Sequence, residues 1–277
     1  MTYAFWSTMG GCGSTTLAVN CAYSLVQDGK SVLFVDLNQF NSRSWSFFAP
    51  AAPSGRYIGN EIAVTNFQPP QRVRAVKTRF AHLWWLGCPS SLPEISQQPI
   101  SSQTSSNPDQ KRLLHALPHW LRCFDAVVID VPSGINAEIY QVAALADKLV
   151  YVLDQRCQHL DSGMKALLQV AKQPNRSKPL AIFPFQNHDA SIDVQGKSKV
   201  WRELLQQHLD NLFQTLYGEK LGSDYLGQAT ALSSPYARLD TRISLEANPD
   251  GQHGELSQSL QRFYQILTGN ERPALEQ

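Results

Sequence analysis

Nowhere does this 277-residue chain run the ~20 consecutive apolar positions that a membrane-spanning helix needs. A span across a bilayer is therefore not expected. An excess of one charge is missing too: 24 Lys and Arg stand against 23 Asp and Glu, a formal net charge of +1. That balance argues against a general nucleic-acid clamp or a polybasic membrane arm, so a nucleic-acid partner is not expected. Cysteine is sparse. Cys12, Cys21, Cys88, Cys123 and Cys157 show no C-x-x-C spacing, and their odd number suits reduced thiols better than a disulfide framework. The seven histidines contain no H-E-x-x-H pair, which excludes that type of metal centre. No G-x-S-x-G elbow is present, which counts against a serine hydrolase. No signal-peptide pattern appears before the first strand, so a cytoplasmic protein is expected.

What the chain does contain is a series of short apolar runs. Residues Tyr3–Trp6, Ser31–Val35, His82–Leu86, Ala126–Ile129, Leu149–Leu153 and Leu180–Phe183 read as buried strands. Thr15–Gln27 carries Leu17, Cys21, Leu25 and Val26 near helical spacing, and Asp28-Gly29-Lys30 stops that helix. Near-continuous apolar strands separated by helices predict an α/β fold, doubly wound, with a mostly parallel sheet covered on both faces. The apolar share of 43% supports a core of that kind. One domain over residues 1–277 is expected, interrupted by a flexible surface insertion rich in Ser, Pro and Gln at about 87–110. Residues 197–217 form an amphipathic helix whose stripe is Val200, Trp201, Leu204, Leu205, Leu209, Leu212, Phe213 and Leu216. The stripe suits a core-facing helix first and a partner-binding one second. The C-terminal stretch is helix-like up to Gly269 but is not basic on its polar face, so direct membrane insertion is not expected.

Between the first strand and its helix lies Met9-Gly10-Gly11-Cys12-Gly13-Ser14-Thr15-Thr16. Glycines there let backbone N–H groups approach phosphate oxygens, and the helix N-terminus adds a positive dipole end. The alternative is a tight turn that needs glycine for geometry alone. Two aspartates strengthen the first reading. Asp36 and Asp130 stand at the C-terminal ends of apolar strands, where open α/β sheets bind their ligands. They could instead merely cap the turns that follow. Cys12, beside a helix N-terminus, is also a candidate for a thiol of lowered pKa.

These motifs resemble the ParA/MinD group of P-loop ATPases with a deviant Walker A loop, K-G-G-x-G-K-[ST]. MGGCGST is similar to that loop, SVLFVDLN to the second strand and switch I, and FDAVVIDVPSG to Walker B and switch II. ALADKLVYVLDQ is similar to the next helix–strand unit, HLWWLGCPSSLPE to a strand ending near proline, and ATALSSPYARLD to a weakened last strand and proline turn. Within the group, GGCGSTTLAVNCAYSL resembles the TadZ/CpaE-like pilus-localisation branch, with the BcsQ-like cellulose-synthesis branch second. The resemblance implies ATP or ADP with Mg²⁺, bound by Gly10, Gly11, Cys12, Gly13, Ser14, Thr15 and Thr16, with Thr15, Asp36 and Asp130 at the metal.

It also shows what has changed. Met9 stands where the group's signature lysine reaches the facing subunit, and Ser14 where a lysine contacts the β- and γ-phosphates. Asn38 stands where a second switch I aspartate orients the attacking water. Arg43 or Arg156 could replace a lost charge. A supplied arginine at such a site can be worth roughly 10³–10⁵ in rate, so losing two lysines predicts at most a very weak ATPase. The implied function is a degenerate, nucleotide-holding localisation or assembly factor for a bacterial envelope apparatus, such as a Tad-type pilus or a cellulose secretion system. Its partners would be components of that apparatus, which would recruit it to the inner membrane or cell pole, and any homodimer would form without nucleotide. The alternative is an active ParA-type ATPase that partitions DNA or a protein cargo.

Overall fold

The computed structural model describes residues 1–37, 44–48, 62–64, 73–87, 120–135, 137–154, 160–172, 181–187, 197–218, 227–229 and, apart from 262 and 266, 260–269. Nine strands among them form one sheet: β1 (Thr2–Trp6), β2 (Val32–Asp36), β3 (Ile62–Val64), β4 (Val73–Lys77), β5 (Leu83–Gly87), β6 (Ala126–Asp130), β7 (Lys148–Asp154), β8 (Ala181–Asn187) and β9 (Gly227–Ala229). Their order is β3-β4-β5-β2-β6-β1-β7-β8-β9. From β5 to β9 every neighbouring pair is parallel, while β4 runs antiparallel to β5 and β3 antiparallel to β4. The fold is the α/β parallel-sheet architecture that the apolar runs predict.

Burial explains why the strands read as continuous apolar runs. Every residue of β1, β2 and β6 is buried, because these central strands are covered on both faces. The helices are α1 (Ser14–Gln27), α2 (Ser44–Phe48), α3 (Ala137–Ala143), α4 (Leu160–Ala171) and α5 (Lys197–Tyr217). From β1 the chain passes through α1 to β2, on one side of β1; from β6 it passes through α3 to β7, on the other. Right-handed crossovers in opposite directions put α1 and α3 on opposite faces. The adjacent ends of β1 and β6 therefore border a crevice at the C-terminal edge of the sheet.

The 197–217 helix is core-facing in part. Leu209 and Leu212 are buried and Leu216 packs on the core, whereas Leu204, placed on the same stripe, is exposed. The helix packs beside α4, where His208 Nδ1 lies 3.4 Å from Asp161 Oδ1. The described residues of 260–268 are helical and pack on the core through Leu260, Phe263, Tyr264 and Leu267. Tyr264 donates its hydroxyl to Leu17 O of α1 at 2.8 Å, Phe263 stacks edge-on to Phe185 at 4.8 Å, and Lys148 Nζ donates to Leu267 O. The last contact sets a cation at a helix C-terminus, where the dipole favours it. Among the described residues, no helix is long and apolar enough to cross a membrane. The 87–110 stretch beyond Gly87, together with Asn38, Arg43 and Arg156, lies outside the described residues.

Candidate functional site

The glycine loop leaves β1 at Ser7 and enters α1 at Ser14, at the mouth of the crevice. Gly11 (φ 79) and Gly13 (φ 95) both take left-handed conformations that side chains resist. Gly13 also caps α1, and its carbonyl accepts the Leu17 N–H at 3.0 Å. Among the described residues no side chain caps this helix start, and no acidic residue stands in its first turn. Its positive end is therefore directed at the loop. Gly10 and Gly11 are exposed, and Gly13, Ser14, Thr15 and Thr16 are half-buried.

A second set of contacts holds the ascending part of the loop. Gly134 N–H donates to Ser7 O at 3.2 Å, and the Trp6 indole N–H donates to Gly134 O at 3.2 Å. Ser7 Oγ donates to Met9 O at 2.7 Å, while Thr8 Oγ1 lies 3.3 Å from the Tyr151 hydroxyl. The loop after β6 is thus tied to the loop after β1. Met9 is 37% exposed, so an apolar side chain stands at the crest of the loop.

Asp36 and Asp130 are register partners on neighbouring strands, so their side chains share one face of the sheet. Both are buried, at 1% and 0% exposure. Thr15 Oγ1 donates to Asp130 Oδ2 at 2.7 Å. The structure thus brings together Thr15 and Asp130 of the expected metal set and lays Asp36 beside them in register. Asp36 Oδ2 accepts the hydroxyl of Ser44, the first residue of α2, and Ser44 Oγ in turn accepts the Trp85 indole N–H at 2.9 Å. Neither Ser44 nor Trp85 was legible as a site residue, since both reach Asp36 from separate elements.

Cys12 points the other way. It is 1% exposed and belongs to the hydrophobic core, so this candidate lacks the accessibility that a reactive thiol needs. Its backbone remains in the glycine loop. Burial likewise pushes the Cys21 thiol well up, which keeps it protonated and inert.

The donor set suits a magnesium nucleotide. Hydroxyl and carboxylate oxygens are the hard ligands Mg²⁺ takes, and the exposed glycine backbone with an uncapped helix start suits phosphate. Among the described residues no group of three or more His, Cys, Asp or Glu could hold a metal alone. A cation at Thr15 and Asp130 would therefore need further oxygens, as Mg²⁺ ordinarily draws from phosphates and water.

A sequence model of the AAA domain family matches residues 2–179, well over half of the chain. The chain belongs to the AAA domain family. Solved structures extend the likeness to the whole fold of this AAA-domain protein. MinD, the septum site-determining protein from Pyrococcus horikoshii, complexed with Mg-ADP, is 15% identical with a TM-score of 0.62, over 96% of each chain. The MinC:MinD cell division complex from Aquifex aeolicus matches at 15% identity and TM-score 0.60, over 99% of this chain and 98% of the other. A ParA family ATPase from Chlorobium tepidum matches at 14% and 0.52, over 98% and 93%. At these identities the likeness is one of fold, and that fold is the ParA/MinD P-loop fold. No curated protein matches the chain in sequence.

Proposed function

We propose that this protein is a nucleotide-holding, hydrolytically degenerate member of the ParA/MinD-like group, comprising one P-loop domain over residues 1–277. ATP or ADP with Mg²⁺ would bind at Gly10, Gly11, Cys12, Gly13, Ser14, Thr15 and Thr16, with Thr15 and Asp130 at the metal and Asp36 beside them. One observation carries the reading: the Thr15–Asp130 contact of 2.7 Å is retained in a loop whose lysine positions hold Met9 and Ser14. The binding side of the site is kept while its charge is gone. Backbone amides and a helix start hold a phosphate in its ground state, whereas hydrolysis needs positive charge where the transferred phosphoryl group develops its own. The exposed glycine loop supports binding, the replaced lysines argue against turnover, and MinD complexed with Mg-ADP supports a magnesium nucleotide as the ligand class.

A protein of this kind acts by contact. Its role would be localisation or assembly of an envelope apparatus, a Tad-type pilus or a cellulose secretion system, reached from the cytoplasm through a protein partner. The MinC:MinD pair supports a protein partner in general. The competing reading is an active ATPase that partitions DNA or protein cargo, and the intact Thr15–Asp130 pair is what favours it. Calorimetry with ATP and ADP in Mg²⁺, paired with a phosphate-release assay, separates the two. Binding without release supports the proposal, and release at ParA-like rates supports its competitor. In-cell crosslinking that recovers pilus or cellulose-synthesis components tests the apparatus.

A further inference from the structure

Asp36 is held by a chain of donors that runs in one direction only. The Trp85 indole N–H donates to Ser44 Oγ, and the Ser44 hydroxyl donates to Asp36 Oδ2. An indole N–H has no acceptor to offer, so it leaves the single Ser44 proton committed to the carboxylate. Ser44 is fully buried, which removes water as a competing partner. The place of the indole is built into the backbone. Trp85 and Gly87 lie on one face of β5, and Gly87 is the register partner of Asp36. A Cβ on Gly87 would fall 2.3 Å from Trp85 Cη2. The space that a side chain beside Asp36 would fill is occupied by the Trp85 ring.

Asp36 itself neighbours Asp130 across the β2–β6 register, and two buried carboxylates on one face repel. Each is drawn by its own hydroxyl, Asp130 Oδ2 by Thr15 and Asp36 Oδ2 by Ser44. Holding Oδ2 restricts the rotation of the Asp36 carboxylate beside Asp130. We propose that, given a magnesium nucleotide at the glycine loop as read above, Ser44 is the positioning residue that aims Asp36 at the metal. Trp85 and Gly87 fix Ser44 in turn. Asp36 then serves the cation through its shell of water or ligands only while Ser44 holds it.

The test is nucleotide binding by the full chain, measured for ADP and ATP by calorimetry in excess Mg²⁺ and again in EDTA, with thermal unfolding of each variant. The quantity read is the tightening that Mg²⁺ gives. Ser44→Ala should reduce this tightening about tenfold and leave the EDTA affinity unchanged, because a charge-assisted hydrogen bond is lost at the metal side alone. Ser44→Thr keeps the hydroxyl and should restore the tightening. Trp85→Phe keeps an aromatic side chain but removes the indole N–H and should fall between them. Equal loss in Mg²⁺ and EDTA would mark a merely structural Ser44 and overturn the proposal, as would unchanged tightening in folded Ser44→Ala. If the parent protein binds no nucleotide under either condition, the nucleotide-site reading fails and this one with it. A parent that binds with Mg²⁺-dependent tightening, beside an unaffected variant, overturns the positioning role alone.

Discussion

Thr15, in the first turn of α1, donates a 2.7 Å hydrogen bond to Oδ2 of Asp130 at the end of β6, 115 residues further along the chain. The acceptor is fully buried, so the bond matters to folding as well as to any ligand. Thr15→Val preserves shape and removes the donor from a buried carboxylate. It should cost about 1.5–3 kcal/mol of stability, the range for a hydrogen bond to a charged group. Urea unfolding of the two proteins reads this directly. A loss below a few tenths would mean that Asp130 does not depend on Thr15.

The missing lysine can be put back. Ser14 begins α1, half-buried at the phosphate side of the loop. Ser14→Lys should tighten ATP binding about tenfold to a hundredfold, since a charge-assisted contact to phosphate is worth roughly 1.5–3 kcal/mol. Calorimetry on both proteins is the check. Absence of binding in both would leave the loop with a purely architectural role.

Gly163 is pinned by a neighbour. A Cβ there would meet the Tyr151 hydroxyl at 2.3 Å, and that hydroxyl lies 3.3 Å from Thr8 Oγ1. Gly163→Ala should therefore displace Tyr151 and loosen the ascending glycine loop, at about 1–3 kcal/mol for overpacking. Placing it on a Tyr151→Phe background removes the clashing oxygen and should recover most of the loss. Thermal unfolding of the four proteins in that cycle measures the coupling, and additive effects would contradict the contact.

The strands were legible because the central ones are buried on both faces, so Tyr3–Trp6 and Ala126–Ile129 read as apolar runs and fall within β1 and β6. Strand ends were less so. Leu180–Phe183 stops before a proline, yet β8 runs from Ala181 through Pro184 to Asn187. Among the described residues β9 pairs with β8 only from Phe185 onward, so Pro184 sits where β8 has a partner on the β7 side alone, a position in which proline is tolerated. The antiparallel strands β3 and β4, at one end of the sheet, escaped notice; in β4 the charged Arg74 and Lys77 interrupt the apolar run on which the other strands were read. At the site, the glycines, Thr15, Asp36 and Asp130 were readable from motif spacing. Ser44 and Trp85 were not, because α2 and β5 bring them to Asp36 from 8 and 49 positions away by tertiary packing alone.

Association should be blind to nucleotide. Met9, exposed and uncharged, offers nothing to neutralise phosphates on a facing copy. Two such sites face to face would gather anionic charge where water is excluded. Light scattering should give one mass with and without Mg-ATP. A monomer that dimerises only on ATP would contradict this.

The central claim is a loop that holds nucleotide and does not turn it over, and steady-state phosphate release from ATP tests it most directly. With Met9 and Ser14 in the lysine positions, release by the purified protein in Mg²⁺ should not rise above that of its Asp130→Ala variant. Sustained release at rates normal for ParA-type enzymes, abolished by Asp130→Ala, would contradict the account.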